Sequence, residues 1–143
     1  MLLPLLAAAV TALASGDLPA TVTVDHRPLS ADTAHVVAFS RAKTIYVCLD
    51  DVKQAVTGSI AHDGKRIVLT TFTGSSNSRT VTFTPGSTNA MLDGKPLVLT
   101  APVVTQYGCA FIPLSFFGSP GLRTRVTFAA DGRSGNVVLP PGF

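Results

Sequence analysis

Three histidines are the first candidates for chemistry in this sequence, because imidazole is the commonest transition-metal ligand in proteins. His26, His35 and His62 form no H-x-H or H-x-x-x-H pair. Their spacing therefore carries no metal-ligand pattern. We predict no metal site and no cofactor from these residues.

Eight carboxylates, all aspartates, are the next candidates. Glycoside hydrolysis requires two acids that face each other across a cleft, but Asp50 and Asp51 are adjacent and suit the first turn of a helix. Four others stand in predicted turns, where aspartate is favoured: Asp25, Asp63, Asp93 and Asp131. The sequence also contains neither a G-x-S-x-G elbow nor a P-loop. These observations predict that the protein is not an enzyme.

Two cysteines, Cys48 and Cys109, lie in predicted strands. An oxidising compartment permits a disulfide between them, and closing a loop of about 60 residues would stabilise the fold by on the order of 4 kcal/mol. Alternatively, both pack as buried thiols, or one of them is the nucleophile of a small thiol enzyme. The sequence leaves these alternatives open.

Basic residues supply the candidate ligand-binding surface. Arg123 and Arg125 are two residues apart on a predicted strand, so they share one face with Thr127. Near the two predicted hairpin turns lie Lys65, Arg66 and Arg133. Together they could bind an anionic polymer through guanidinium contacts; the alternative is that they protect strand edges from aggregation. A net charge of +3, spread along the chain, does not predict nucleic-acid binding.

The N-terminal residues 1–14 read as a secretory signal peptide. They form an uncharged apolar run that ends in Ala12-Leu13-Ala14, a small-x-small cleavage pattern. Residues 15–143 are then expected to form one domain, secreted or held at the cell envelope, that begins with a short flexible lead at residues 15–20. Alternatively, this run is a helix packed on the domain; since it lacks an early Lys or Arg, the true start could also lie upstream of Met1.

Composition and turn signals predict an α+β fold that is mostly β. Apolar residues make up 46% of the chain and charged residues 13%, which excludes a disordered, highly charged tail. Thr- and Val-rich runs alternate with Gly and Pro turns and predict antiparallel strands and hairpins. We predict one short helix over residues 50–56, ended at Thr57-Gly58, around which the strands twist.

The chain contains two related halves, at about residues 21–72 and 79–139, joined by a polar loop at 73–78. Residues 24–29 correspond to 92–97, residues 46–49 to 111–114, and residues 63–64 to 131–132. We predict two pseudo-repeats that share one core.

Three motifs of the second half carry a family resemblance: Asp-Gly-Lys-Pro-Leu at 93–97, Ala-Pro-Val-Val at 101–104 and Tyr-Gly-Cys-Ala-Phe-Ile-Pro-Leu at 107–114. Their order resembles the copper amine oxidase N-terminal-like domain, or stalk domain, of exported bacterial proteins. The resemblance covers nearly all of residues 21–139, with Cys48 where proline would stand in the first copy. It implies strands around a short helix, and it places the family's copper chemistry in a separate catalytic domain.

The resemblance and the motifs together predict an exported, non-enzymatic structural or binding module of the cell envelope. Its expected partner is an envelope polysaccharide or another envelope protein. The alternatives are a small secreted hydrolase or thiol enzyme, and an inhibitor-like domain that presents the loop at 73–78.

Overall fold

A computed structural model of the protein describes residues 13–29, 35–55, 58–72, 78–119, 122 and 124–139. Several features predicted from the sequence lie outside these residues. They are the signal segment up to residue 12, the helix end at 56–57, residues 73–77 of the predicted loop, and Arg123.

The described residues form fourteen strands, one α-helix and one 3₁₀ helix. In chain order the elements are β1 (Asp17–Pro19), β2 (Thr21–Val24), β3 (Arg27–Pro28), β4 (Ala38–Arg41), β5 (Thr44–Cys48), α1 (Leu49–Ala55), β6 (Gly58–Asp63), β7 (Arg66–Phe72), β8 (Ser78–Phe83), β9 (Asn89–Leu92), β10 (Lys95–Val98), β11 (Val104–Gln106), β12 (Cys109–Pro113), the 3₁₀ helix (Leu114–Gly118), β13 (Arg125–Phe128) and β14 (Ser134–Val138). The predicted mostly-β α+β class is confirmed. Within the described ranges, no helix is both long enough and apolar enough to cross a membrane.

The strands form three sheets. The central sheet has the order β1-β4-β5-β12-β11, the second sheet β10-β9-β8-β7-β6, and the third sheet β13-β14-β2-β3. Neighbouring strands are antiparallel except β14 and β2, which run parallel.

The strand register of the central sheet shows the repeat directly. Adding 65 to each residue number converts the β4–β5 pair Arg41↔Thr44 into the β11–β12 pair Gln106↔Cys109. The middle strands β5 and β12 are antiparallel, with Tyr46 opposite Pro113 and Cys48 opposite Phe111. The two copies are therefore related by a pseudo-two-fold axis between β5 and β12.

The outer sheets mix strands from both copies. The third sheet joins β2–β3 of the first copy to β13–β14 of the second, and the second sheet joins β6–β7 of the first to β8–β10 of the second. Neither copy completes an outer sheet with its own strands. Each copy therefore requires the other to satisfy its strand hydrogen bonds.

The main hydrophobic core contains Val52 of α1 and both phenylalanines of the 3₁₀ helix. Phe117 is buried. Phe116 is buried as well, with its ring centroid 5.2 Å from that of Phe83. The helix of the second copy is shorter than α1, and its two phenylalanine rings fill the core beside it.

A smaller core lies apart from the main one and contains Phe39, Tyr46, Phe111 and the two cysteines. Cys48 and Cys109 are joined by a disulfide with a Cα–Cα distance of 5.9 Å, within the usual range for such a bond. In this oxidised form neither cysteine offers a thiol nucleophile.

The start of the described chain differs from the sequence prediction. Residues 15–20 were expected to be a flexible lead, but Asp17–Pro19 form β1, paired with β4. Arg41 holds this strand in place, because its Nε and Nη2 donate to the Asp17 carboxylate at 2.7 and 2.8 Å. The prediction of an unstructured lead was wrong because this tie is made across 24 residues.

Candidate binding site

A cavity of about 330 Å³ lies between α1, the β6–β7 hairpin and the start of β12. Its size falls within the range of small-ligand pockets. Its apolar wall includes Leu49, Ile60, Ile67 and Ala110, and its polar wall is formed by Asp50, His62, Lys65 and Arg66. The cavity therefore combines an apolar floor with a basic side.

Local strand pairing positions the basic side chains. Asp63 and Arg66 are the last pair of the β6–β7 hairpin, so the two residues of the turn are Gly64 and Lys65, one position later than the Asp-Gly signal indicates. Gly64 supplies the positive φ, 64°, that the turn requires. Lys65 and Arg66 are exposed at the cavity mouth.

The charge balance of the cavity favours an anion. Lys65 and Arg66 carry two positive charges, and the one carboxylate among the described lining residues is Asp50. That carboxylate is partly neutralised, because its Oδ1 lies 3.9 Å from Lys53 Nζ. A ligand that brings acidic groups would complement this site.

Arg66 also lines a groove of about 450 Å³ over the second sheet. Thr80, Thr82 and Thr84 line this groove from one strand and its end, and alternate residues of a strand share a face. Asn89 and Pro96 line it from the neighbouring strands β9 and β10. Arg66 thus lines both the cavity and this groove, whose surface mixes threonine hydroxyls with the apolar side chains of Met91, Leu97 and Val98, an arrangement suited to an extended ligand.

The remaining predicted basic residues lie elsewhere. Arg125 begins β13 in the third sheet, opposite Val138. Arg133 lies in the β13–β14 turn, where its backbone N–H donates to Asp131 Oδ1 at 2.9 Å. Of the five predicted binding residues, the chain neighbours Lys65 and Arg66 line the cavity, whereas Arg125 and Arg133 lie on a strand and a turn of the third sheet. Arg123 lies outside the described residues.

Beside the cavity lies a group of residues that we call the disulfide cluster: His35, Cys48, Asp50, Asp51 and Cys109. His35 Nε2 lies 2.9 and 3.2 Å from the two carboxylate oxygens of Asp51. Ligand-type atoms of His35, Cys48 and Asp51 all lie within 4.8 Å of one another, as do those of Cys48, Asp50 and Cys109. The sequence does not indicate this group, because its members show no ligand spacing and the fold brings Cys109 beside residues 48–50.

A second polar cluster surrounds Asp17, whose side chain is 1% exposed. Besides Arg41, the hydroxyl of Tyr107 donates to Asp17 Oδ2 at 2.6 Å. The hydrogen bond from Arg41 is the largest effect on Asp17 and lowers the pKa of its carboxyl. Burial, and then the bond to Asp17, raise the pKa of Tyr107. This cluster holds β1 on the central sheet, and its members show no motif because 90 residues separate Asp17 from Tyr107.

The chain matches a known protein family. The sequence model of the family described as Copper amine oxidase N-terminal domain matches residues 23–137, well over half of the chain. The matched range contains the cavity and nearly all of both copies. No curated protein matches the chain.

Proposed function

The chain belongs to the copper amine oxidase N-terminal domain family, and from this premise we propose that it is an exported, non-catalytic binding module that holds an anionic polysaccharide of the cell envelope. The observation that carries the proposal is the presence of two cationic side chains, Lys65 and Arg66, at the mouth of a partly apolar cavity.

The non-catalytic part of the proposal is supported by the family and by the cavity. The N-terminal domain of this family is a non-catalytic domain. Among the described residues that line the cavity, Asp50 has no second carboxylate to work with, whereas glycoside hydrolysis uses two. Binding without chemistry fits this arrangement.

The polysaccharide part rests on the shape and chemistry of the lining. A guanidinium can form two parallel hydrogen bonds with a carboxylate or phosphate, and the apolar wall can receive the less polar face of a sugar ring. The threonine-lined groove that begins at Arg66 extends the surface beyond the volume of one sugar. A linear polymer would use both, whereas a small anion would use the cavity alone.

Export is supported by two features. Residues 1–14 have the pattern of a signal peptide. The Cys48–Cys109 disulfide is of the kind that persists in oxidising compartments outside the cytosol.

Binding to polygalacturonate, a polysaccharide with a carboxylate on each sugar, tests the proposal. We expect the purified protein to bind polygalacturonate and not neutral dextran. The double variant K65A/R66A should weaken binding about tenfold or more, since two charge-assisted contacts are lost. Affinity should also fall as salt is added, because the exposed charges are screened.

The matched control is R125A/R133A, which removes the same number of positive charges from the third sheet. It should change the affinity by less than about twofold, because the salt-dependent attraction of the whole protein is its only contribution. Equal losses in both double variants, or equal binding of dextran, would overturn the proposal.

A further inference from the structure

We infer that the polysaccharide held in the cavity is zwitterionic: a protonated amine of the polymer binds the Asp50 carboxylate, and an acidic group of the same polymer binds Lys65 and Arg66. The inference rests on the proposed function, because it concerns the same cavity. It goes further by giving the ligand a second kind of charged group, and by giving Asp50 the role of selecting for that group.

Opposite charges face the cavity from two different elements. Asp50 lines it from the first turn of α1, and Lys65 and Arg66 line it from the end of the β6–β7 hairpin. In the described part of the chain, neither Lys65 nor Arg66 forms an ion pair with a carboxylate. The acidic and basic groups therefore do not neutralise each other, and a ligand in the cavity meets both.

The Asp50 carboxylate is accessible to a ligand. Its side chain is 62% exposed, and the ion pair that it forms, with Lys53, is 3.9 Å long between Oδ1 and Nζ. Charge-assisted hydrogen bonds between such groups are about 2.7–2.9 Å long, so this contact leaves most of the carboxylate's capacity to accept unused. An ammonium carries three donors. Asp50 can therefore accept a ligand ammonium without first losing a strong internal partner.

The two adjacent acids of α1 have different surroundings. Asp51 is only 11% exposed and contacts His35 at 2.9 Å. Asp50 instead lines the cavity, with a carboxylate oxygen within 4.8 Å of both sulfurs of the Cys48–Cys109 disulfide. A position in the first turn of a helix explains why both residues are acidic, but it does not require either to face a cavity. Asp50 is thus the acid of this pair that a ligand can reach.

The apolar part of the cavity favours a ligand whose charges are both paired. Leu49, Ile60 and Ile67 line the cavity with the charged residues, and a charge placed against apolar side chains is costly unless it has a partner. A polymer with only acidic groups would bring negative charge towards Asp50 as well as towards the cations. A polymer that also carries amines places a positive charge there instead, so that each wall meets its opposite.

Two forms of one polymer test the inference. Carboxymethyl chitosan carries carboxylates and free amines, and its N-acetylated form keeps the chain and the carboxylates but loses the amines. Binding is measured by calorimetry at pH 5.5, where amines are protonated and carboxylates are ionised. We expect the wild type to bind the free-amine form about threefold or more tightly than the acetylated form, as for one added exposed ion pair.

The direction of this preference is diagnostic. Acetylation makes the polymer more negative, and the protein carries a net charge of +3. Attraction between net charges would therefore favour the acetylated form. A preference for the free-amine form requires a local acidic partner, and a preference for the acetylated form would overturn the inference.

Single variants assign the preference to one carboxylate. D50N should abolish the preference for the free-amine form, because the partner of the ammonium is lost. The matched control is D63N, which removes the same charge from the hairpin that carries Lys65 and Arg66. Asp63 is exposed and follows His62, a lining residue, so it lies on the opposite face of β6. D63N should keep the preference, and an equal loss in both variants would contradict a role for Asp50.

Two further variants complete the test. K53A should keep or increase the preference, because it removes the cation that competes for Asp50. K65A/R66A should weaken the binding of both polymers. If K65A/R66A weakens both but the wild type shows no preference for the amines, the zwitterionic ligand is wrong and the anionic site stands. If K65A/R66A weakens neither, the proposed function fails and this inference fails with it.

Discussion

The Asp25-His26 turn of the first copy and the Asp93-Gly94 turn of the second have the same backbone but different residues. The φ angles are 49° and 65° in the first turn, and 51° and 82° in the second. Each closes a hairpin with equivalent register, Val24↔Arg27 and Leu92↔Lys95. The fold thus imposes a left-handed conformation on His26 that glycine adopts without strain.

The second pair of turns repeats this contrast. Ala42 and Lys43 have φ angles of 50° and 68°, and Tyr107 and Gly108 have 53° and 75°. The second copy has glycine at the second position of both turns, and the first copy has it at neither. Strand pairing, with its right-handed twist, therefore determines these turns even where the residue is unfavourable.

A side-chain hydrogen bond stabilises the Asp25-His26 turn, which lacks glycine. Asp25 Oδ1 accepts the backbone N–H of Leu139 at 2.9 Å, and Asp93 Oδ1 accepts that of Thr80 at 2.9 Å. The aspartate is common to both turns and ties each to a neighbouring strand or strand end. At this position the two copies therefore share the aspartate and its hydrogen bond, whereas only the second copy has the glycine that relieves the backbone strain.

The largest expected effect on stability comes from the disulfide that joins the two copies. The disulfide joins residues 61 positions apart, and removing it in C48A/C109A should lower the free energy of unfolding by about 4 kcal/mol, chiefly because the unfolded chain gains freedom. Urea denaturation of both proteins measures the difference. A loss below about 1 kcal/mol would contradict this account.

The pseudo-two-fold axis predicts a second position at which a disulfide could form. Adding 65 to Thr44 and Cys48 gives Cys109 and Pro113, so Thr44 and Pro113 occupy the diagonal equivalent to that of the disulfide. T44C/P113C in the C48A/C109A background should therefore form a disulfide, detectable by thiol titration of the unfolded, unreduced protein. Free thiols at both positions would break the proposed symmetry of the two copies.

An intermediate effect on stability is expected from the two ion pairs that attach β1 and β8 to the rest of the fold. Asp17, almost fully buried, ties β1 through Arg41, whereas Asp93 and Arg79, whose side chains are each 35% exposed, tie β8 to the second turn. D17N should lower the free energy of unfolding by about 2 kcal/mol at pH 7, since charge-assisted hydrogen bonds are lost. D93N should cost about 0.5 kcal/mol, as is usual for exposed pairs.

The pH dependence of D17N checks the cause. The pKa of Asp17 in the folded protein is lowered from its ordinary value of 3.8, first by the hydrogen bond from Arg41. The carboxylate therefore contributes stability that is fully present above 3.8 and is lost as pH falls through the lower folded pKa. Urea midpoints measured from pH 7 to pH 2 should show the difference between wild type and D17N shrinking below about pH 4; a constant difference would assign the effect to packing.

The smallest expected effect returns to the turns. H26G and K43G should each raise the free energy of unfolding by about 0.5 to 1 kcal/mol, because glycine removes the left-handed strain. G94A should lower it by about 1 kcal/mol through backbone strain alone, since a Cβ there meets no atom within 4 Å. Thermal denaturation measures all three. Destabilisation by H26G would show that the histidine side chain is required in the first turn.

Local signals in the sequence account for much of the fold. Turn residues and alternating Thr and Val predicted the hairpins, and Asp50 with Asp51 predicted the start of α1, because these features depend on neighbours in the chain. The correspondence of residues 46–49 with 111–114 predicted that β5 and β12 are equivalent strands of two repeats, but not the two-fold axis that relates them. Gly94 indicated its turn, but His26 did not, since its conformation is imposed by pairing.

Contacts between distant residues account for what the sequence could not predict. The exchange of hairpins between copies depends on which sheet edge each hairpin meets, and no local pattern encodes that choice. No local pattern encodes the cavity either, because Lys65 and Arg66 line it together with Cys109 from another part of the chain. The His35–Asp51 contact likewise joins residues from two separate elements. The sequence predicted Lys65 and Arg66 as binding residues without showing that a cavity accompanies them.

The parallel pairing of β2 with β14 joins strands that are more than 100 residues apart in the chain. Val22 lies opposite Gly135, so the third sheet closes only after the chain has been synthesised beyond residue 135. Contacts at such separation slow folding, because a long loop must be closed before they form. During synthesis, β2 and β3 would therefore stay without their β14 neighbour until the β13–β14 hairpin emerges, whereas the strands of the second sheet would already be available to pair.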